Sequence, residues 1–148
     1  MTDFVDYDQL LDDVVSLLQT HAPGFKLVKK NMSSKDVNTS RMPFCDVRLS
    51  RVLPEVSAGN NYYVGIVVEL EIGASDLSSK GATSTIVLDL LNVAQRAFVE
   101  HPRFSATWDA SILGPVDIIP ESEENVKDGA FMSGAIAQVM IFRYSNAA

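Results

Sequence analysis

Cysteine and histidine are scarce in this sequence, and each shortage removes a class of chemistry. The single cysteine, Cys45, allows no disulfide within the chain. The two histidines, His21 and His101, lack the short spacing of metal ligands, so the sequence predicts no zinc site. Each histidine lies close to a proline where a predicted helix ends, and we interpret both as C-terminal caps that complement the helix dipole.

Long apolar runs and an excess of positive charge are also missing. No stretch approaches the roughly 20 apolar residues of a membrane-spanning helix, so we expect no membrane partner. The opening residues, MTDFVDYDQLLDD, are acidic and lack a signal-peptide pattern, so we expect the protein to be made in the cytoplasm. The net charge of −7 argues against specific nucleic-acid binding, which needs phosphate-neutralising cations.

Catalytic signatures are absent as well. Residues 73–81, GASDLSSKG, lie where a phosphate loop would, but the lysine precedes the glycine, and a simple helix cap by Ser75 or Asp76 is favoured. Glu69 and Glu71 share one strand face about 7 Å apart, whereas retaining glycosidases oppose two carboxylates about 5 Å apart across a cleft. We interpret this pair as a solvated or interfacial acidic face. The sequence therefore predicts no catalytic, cofactor-binding or metal-binding residue, and hence no enzyme.

The 148 residues, 47% of them hydrophobic, suit a single domain that spans residues 1–148. Hydrophobic periodicity predicts an α+β fold: a mostly antiparallel sheet of four to five strands with two helices packed on one face, in the order α-β-β-β-α-β-β. The predicted helices cover residues 6–20 and much of 76–100. The predicted strands are 25–30, 43–53 (ended by Pro54), 62–72, 107–120 (interrupted near Gly114-Pro115) and 130–144.

Alternation within these strands predicts which residues share a face. In the strand 62–72 one face, the core face, has Tyr62, Val64, Ile66, Val68, Leu70 and Ile72, and the other has Tyr63, Gly65, Val67, Glu69 and Glu71. In the strand 43–53 the core face has Cys45, Val47 and Leu49, and the other has Asp46, Arg48 and Ser50. The apolar stripe of the first helix consists of Leu10, Leu11, Val14, Val15, Leu17 and Leu18.

Two polar segments without periodicity separate these elements, and we expect both to be mobile loops. They are residues 31–42, NMSSKDVNTSRM, and residues 121–129, ESEENVKDG. Loops of this length in a compact domain are often functional or disordered.

The charges are unevenly distributed along the chain. Residues 26–51 contain seven cations and two acidic residues, a net of +5, so the rest of the chain carries −12. Two readings remain open: two solvated surfaces of opposite sign, or complementary faces through which subunits meet. The second reading gives the interface candidates Lys29, Lys30, Lys35, Arg41, Arg48, Arg51, Glu69, Glu71, Glu121, Glu123 and Glu124.

The order of the elements and the residue patterns within them resemble those of the tail terminator, or tail completion, proteins of long-tailed bacteriophages and of related minor tail proteins. The resemblance lies in the opening helix DYDQLLDDVVSLLQTHAPG, the motif RMPFCDVRL, the long strand NYYVGIVVELEIGA, the helix TSTIVLDLLNVAQRAFVEHP and the closing strand AFMSGAIAQVMIFRY. It covers nearly the whole chain as a pattern of elements and size.

The resemblance implies a structural virion protein in the phage tail or neck. Such proteins form a homo-oligomeric ring, a hexamer, that caps the head-proximal end of the tail tube and presents the surface that joins the head. The implied partners are the tail tube protein and a head–tail connector protein, and DNA passes through the lumen. A connector or other neck protein (a stopper or adaptor) is the alternative, followed by a small-ligand binder or enzyme with an unrecognised site.

Overall fold

The computed structural model describes residues 6–32, 43–56, 61–76, 82–101, 110–119, 126–127 and 130–146. The helices are α1 (Tyr7–His21) and α2 (Ala82–Glu100). The strands are β1 (Leu27–Lys30), β2 (Phe44–Val56), β3 (Asn61–Asp76), β4 (Ala110–Ile119), β5 (Val126–Lys127) and β6 (Ala130–Asn146). The predicted α+β class and element order are confirmed, and β5 is a two-residue addition within the segment predicted to be an acidic loop.

Helix α1 forms where the sequence combines a cap with an apolar stripe. The Asp6 carboxylate accepts a hydrogen bond from the Gln9 amide at 3.0 Å, which satisfies one of the free N–H groups at the helix start. The residues buried on its inner side are Leu10, Leu11, Val14, Leu17 and Leu18. At the other end the chain turns at Gly24, whose φ of 115° lies in the left-handed region that favours glycine.

The sheet has the strand order β1-β2-β3-β6-β4, with β5 paired to the start of β6. Every pairing is antiparallel except that of β1 with β2, which is parallel. The sequence interpretation joined neighbouring strands by turns and so did not foresee this parallel pair. The 13 residues from Asn31 to Pro43 form the crossover between the two strands, and its central part, 33–42, lies outside the described residues.

Both helices pack on the same face of the sheet and enclose the core. The alternating residues of β3 that the sequence assigned to the core (Ile66, Val68, Leu70 and Ile72) are at most 1% exposed. They pack with Cys45 and Val47 of β2, with Ala137, Val139 and Ile141 of β6, and with the inner faces of α1 and α2. We call this side of the sheet the helix face.

The predicted ends of the second and third strands are wrong. The third strand was expected to end at residue 72, with a helix cap at Ser75 or Asp76, but β3 continues to Asp76 and α2 begins at Ala82. Pro54 was expected to end the second strand, but β2 continues through it to Val56, and Pro54 pairs with Val64 of β3. The reason is positional, because β1 pairs only with the stretch from Phe44 to Val47. Beyond Val47, β2 has no described neighbour on that side, and on such an edge a proline need not interrupt the ladder.

Candidate functional site

The sheet face opposite the helices is the candidate site, and we call it the open face. No described helix packs on it. The strand register brings Lys29, Asp46, Glu71, Ile136 and Asp117 into one row that crosses all five main strands on this side. The face therefore carries side chains contributed by every main strand of the sheet.

Three strips divide the open face, and each follows one or two strands. The cationic strip consists of Lys29 on β1 and of Arg48 and Arg51 on β2, and all three residues are exposed. The acidic strip consists of Glu69 and Glu71 on β3, both half-buried. The apolar strip consists of Ile136, Met140 and Phe142 on β6, which are also half-buried. One polar residue, the half-buried Gln138 opposite Glu69, lies between Ile136 and Met140.

The cationic and acidic strips are direct cross-strand neighbours. Arg48 pairs with Glu69 across the β2–β3 ladder, and Asp46 pairs with Glu71. The Arg48 side chain also donates to Asp46 through Nε, and to the Met32 carbonyl at 2.6 Å through a terminal guanidinium nitrogen. The hydrogen bond to Asp46, together with the charges of Asp46, Glu71 and Glu69, raises the pKa of Arg48.

Asp46 is the one charged residue that is buried in the described part of the chain, at 2% exposure. Its Oδ1 accepts a hydrogen bond of 2.8 Å from the Met32 amide, and its Oδ2 accepts one from Arg48. This carboxylate therefore ties the chain that leaves β1 to the middle of β2. The alternation of β2 places Asp46 on the open face as predicted, but its burial depends on Met32, which is 14 residues distant.

The structure assigns a different environment to Lys30. Its ammonium group lies on the helix side of β1 and contacts Asp8 at 2.8 Å and Asp12 at 2.9 Å, both on α1. Hydrogen bonds to Asp8 and then to Asp12 raise the pKa of Lys30. Lys30, one of the predicted interface residues, is thus engaged within its own chain. The other predicted interface residues Lys35, Arg41, Glu121, Glu123 and Glu124 lie outside the described residues.

The two histidines, treated as separate caps in the sequence, are in contact. The rings of His21 and His101 stack with their centroids 3.7 Å apart and their planes inclined by 25°. The C-terminal ends of α1 and α2 therefore meet at this pair, and the amide of His101 donates to the Ala97 carbonyl at 3.0 Å. Nitrogen lone pairs of stacked rings lie side by side rather than converging, which does not suit chelation of one ion.

The other described side chains that could react or bind a metal are either buried or not clustered. Cys45 lies fully buried on the helix face, and burial, followed by the charges of Asp46 and Glu71, raises the pKa of its thiol. Among the described residues, no group of three or more His, Cys, Asp or Glu side chains could hold a metal ion. Within the same residues, no helix is long and apolar enough to cross a membrane.

Comparison with protein-family models finds no matching family, and comparison with curated proteins finds no match either.

Proposed function

We propose that this chain is a structural subunit of a bacteriophage tail. In this proposal it forms a hexameric ring on the head-proximal end of the tail tube, stops further polymerisation of the tube, and offers the surface to which the head connector binds. It acts by binding other protein subunits and carries out no reaction.

The observation that carries the proposal is the open face. Half-buried apolar residues (Ile136, Met140 and Phe142) lie beside the charged residues of β2 and β3 on a side of the sheet without a described helix. Apolar side chains with a charged surround are typical of protein–protein contacts. In the described part of the chain both helices lie on one face of the sheet, and the proposal assigns the opposite face to another subunit.

A ring requires more than one such surface. Subunits arranged head to tail meet through two different patches, and the contact must repeat until the ring closes. The chain has two chemically different sides for this purpose. One is the open face with its cationic strip. The other is the outer side of the two helices, which we call the helix layer, and there α1 with its cap contributes Asp6, Asp8, Asp12 and Asp13. Complementary charge steers and orients such an association.

The proposal is tested in a phage that carries a stop codon in this gene, with electron microscopy of the lysate. We expect tails of uncontrolled length beside filled heads without tails, and recovery of normal particles when the intact gene is supplied in trans. Tails of normal length that fail to join heads would instead identify a connector or other neck protein. Normal infectious particles without the protein would exclude a structural role.

A further inference from the structure

We propose that the open face of one copy binds the helix layer of the next copy, strip against strip. This inference rests on the proposed function, because it names the two surfaces that meet around the ring. The partner is a second copy of this chain, because the two sides of the molecule are complementary in charge and in apolar groups.

The layout of the fold aligns the two sides of the molecule. Helix α1 packs above β1 and β2, whereas α2 packs above β3, β6 and β4. When two copies stack in the same orientation, α1 of the second copy therefore lies over the cationic strip of the first. In the same arrangement α2 of the second copy lies over the acidic and apolar strips.

The first of these contacts is complementary in charge. Helix α1 and its cap contain four aspartates and no lysine or arginine, and two of the aspartates, Asp8 and Asp12, contact Lys30. The helix thus carries a net negative charge. Beneath it the stacked arrangement places Lys29, Arg48 and Arg51.

The second contact is complementary in apolar groups. Leu88 and Val99 of α2 are 52% and 70% exposed. They are 11 residues apart, about three helical turns, so they share one outward stripe. Over the open face they would meet the apolar strip of the neighbouring copy.

The symmetry of this contact suits a ring. A helix layer on a sheet face joins two different surfaces of copies that point the same way, so each copy still presents one free surface of each kind. The contact can therefore repeat, and it closes into a ring when each copy is also rotated by a constant angle about the ring axis. Pairing of two open faces would instead turn one copy over and would stop at a two-fold dimer.

Two charge-reversed variants of the full chain test the proposal. The sheet variant is Lys29→Glu with Arg51→Glu, and the helix variant is Asp8→Lys with Asp12→Lys. All four side chains are exposed or half-exposed, but the helix variant also loses the ion pairs of Asp8 and Asp12 with Lys30. Each variant is therefore first shown by circular dichroism and thermal unfolding to retain its fold. We expect the wild-type chain to sediment as an oligomer and each variant alone to sediment as a monomer.

The decisive measurement is sedimentation of an equimolar mixture of the two variants. The sheet variant carries acidic groups on both surfaces and the helix variant carries cationic groups on both, so the mixture should regain the oligomer with alternating copies. A mixture that stays monomeric, a variant that assembles alone, or a wild-type chain that is itself monomeric would overturn the proposal.

An uncharged variant and a matched control complete the design. Leu88→Gln with Val99→Gln should lose the oligomer while the fold persists, and retained assembly would contradict the α2 contact. Lys26→Glu reverses an exposed cation in the turn before β1 and should assemble normally. Failure of this inference differs from failure of the proposed function, because rings built through other surfaces would still terminate tails in the phage experiment.

Discussion

The phenyl ring of Phe44 in β2 lies against Gly73 in β3, so closely that a Cβ atom at position 73 would be 2.2 Å from Phe44 Cε1. The two residues are direct cross-strand partners on the open face. Phe44 is 4% exposed and packs with Met32 and Leu27 in a small cluster apart from the main core. Glycine at position 73 thus leaves the space that the aromatic ring occupies.

This contact predicts that Gly73→Ala destabilises the fold by about 1–3 kcal/mol, because the added methyl group must displace a buried ring. Urea unfolding measures the change. The double variant Gly73→Ala with Phe44→Leu should lose less than the sum of the two single variants, since the smaller side chain relieves the clash. Strict additivity of the two single effects would show that the ring and the glycine are not coupled.

The buried carboxylate of Asp46 gives a second prediction. Asp46→Ala removes the acceptor of the Met32 amide and of Arg48, and we expect a loss of about 1–3 kcal/mol in the free energy of unfolding. Arg51→Ala, an exposed change on the same strand, should stay within about 0.5 kcal/mol of the wild type. Equal losses of unfolding free energy for the two substitutions, measured by chemical denaturation, would contradict the stabilising role of Asp46.

Cys45 gives a third prediction: the free energy of unfolding should fall as the pH rises into the alkaline range. Because burial raises the pKa of its thiol in the folded state, the folded chain holds this proton more tightly than the unfolded chain does. The stability that this difference contributes is fully present below the pKa of the unfolded thiol, about 8.5. It is lost progressively as the pH rises from there toward the pKa of the folded thiol. The loss should be about 1.4 kcal/mol per pH unit.

The control for this prediction is Cys45→Ala, which has no thiol to titrate. The difference in unfolding free energy between the wild type and this variant should shrink between pH 8 and pH 10, when both are measured in urea at each pH. A difference that stays constant over this range would mean that the thiol ionises equally in the folded and unfolded chains.

The stacked imidazoles of His21 and His101 provide a fourth prediction. A double-mutant cycle with His21→Ala and His101→Ala should give a coupling of about 0.5–1.5 kcal/mol at pH 8, the range found for aromatic pairs. His21→Phe should keep more of the stability than His21→Ala, because a stacked ring remains. A coupling near zero would mean that the two histidines act independently, each at the end of its own helix.

The part of the fold that could be predicted from sequence is the part set by local periodicity. Alternation in β3 correctly predicted the burial of Ile66, Val68, Leu70 and Ile72, although Val67 on the opposite face is buried as well. The stripe of α1 correctly predicted Leu10, Leu11, Val14, Leu17 and Leu18. Both patterns arise because one covered face imposes a period of two on strands and of 3.6 on helices. The same alternation placed Asp46, Arg48, Glu69 and Glu71 on the face opposite the core. Their role as an interface remains a prediction.

Other features depend on residues that are far apart in sequence. The parallel pairing of β1 with β2 has no signal in the local sequence, because paired residues such as Lys29 and Asp46 are separated along the chain by the crossover. The extension of β2 through Pro54 depends on the short length of its neighbour β1. The contact of His21 with His101 follows from where two helices happen to end, and neither helix carries a signal for it.

The pairing of β3 with β6 has a consequence for the time course of folding. These two strands form the longest ladder of the sheet, yet Asp76 pairs with Phe131, 55 residues later, and Asn61 with Asn146, 85 residues later. Contacts so distant along the chain close slowly, since a large loop must lose its entropy first. During synthesis, β3 emerges from the ribosome well before β6, so the side of β3 that pairs with β6 stays without its partner until β6 has followed.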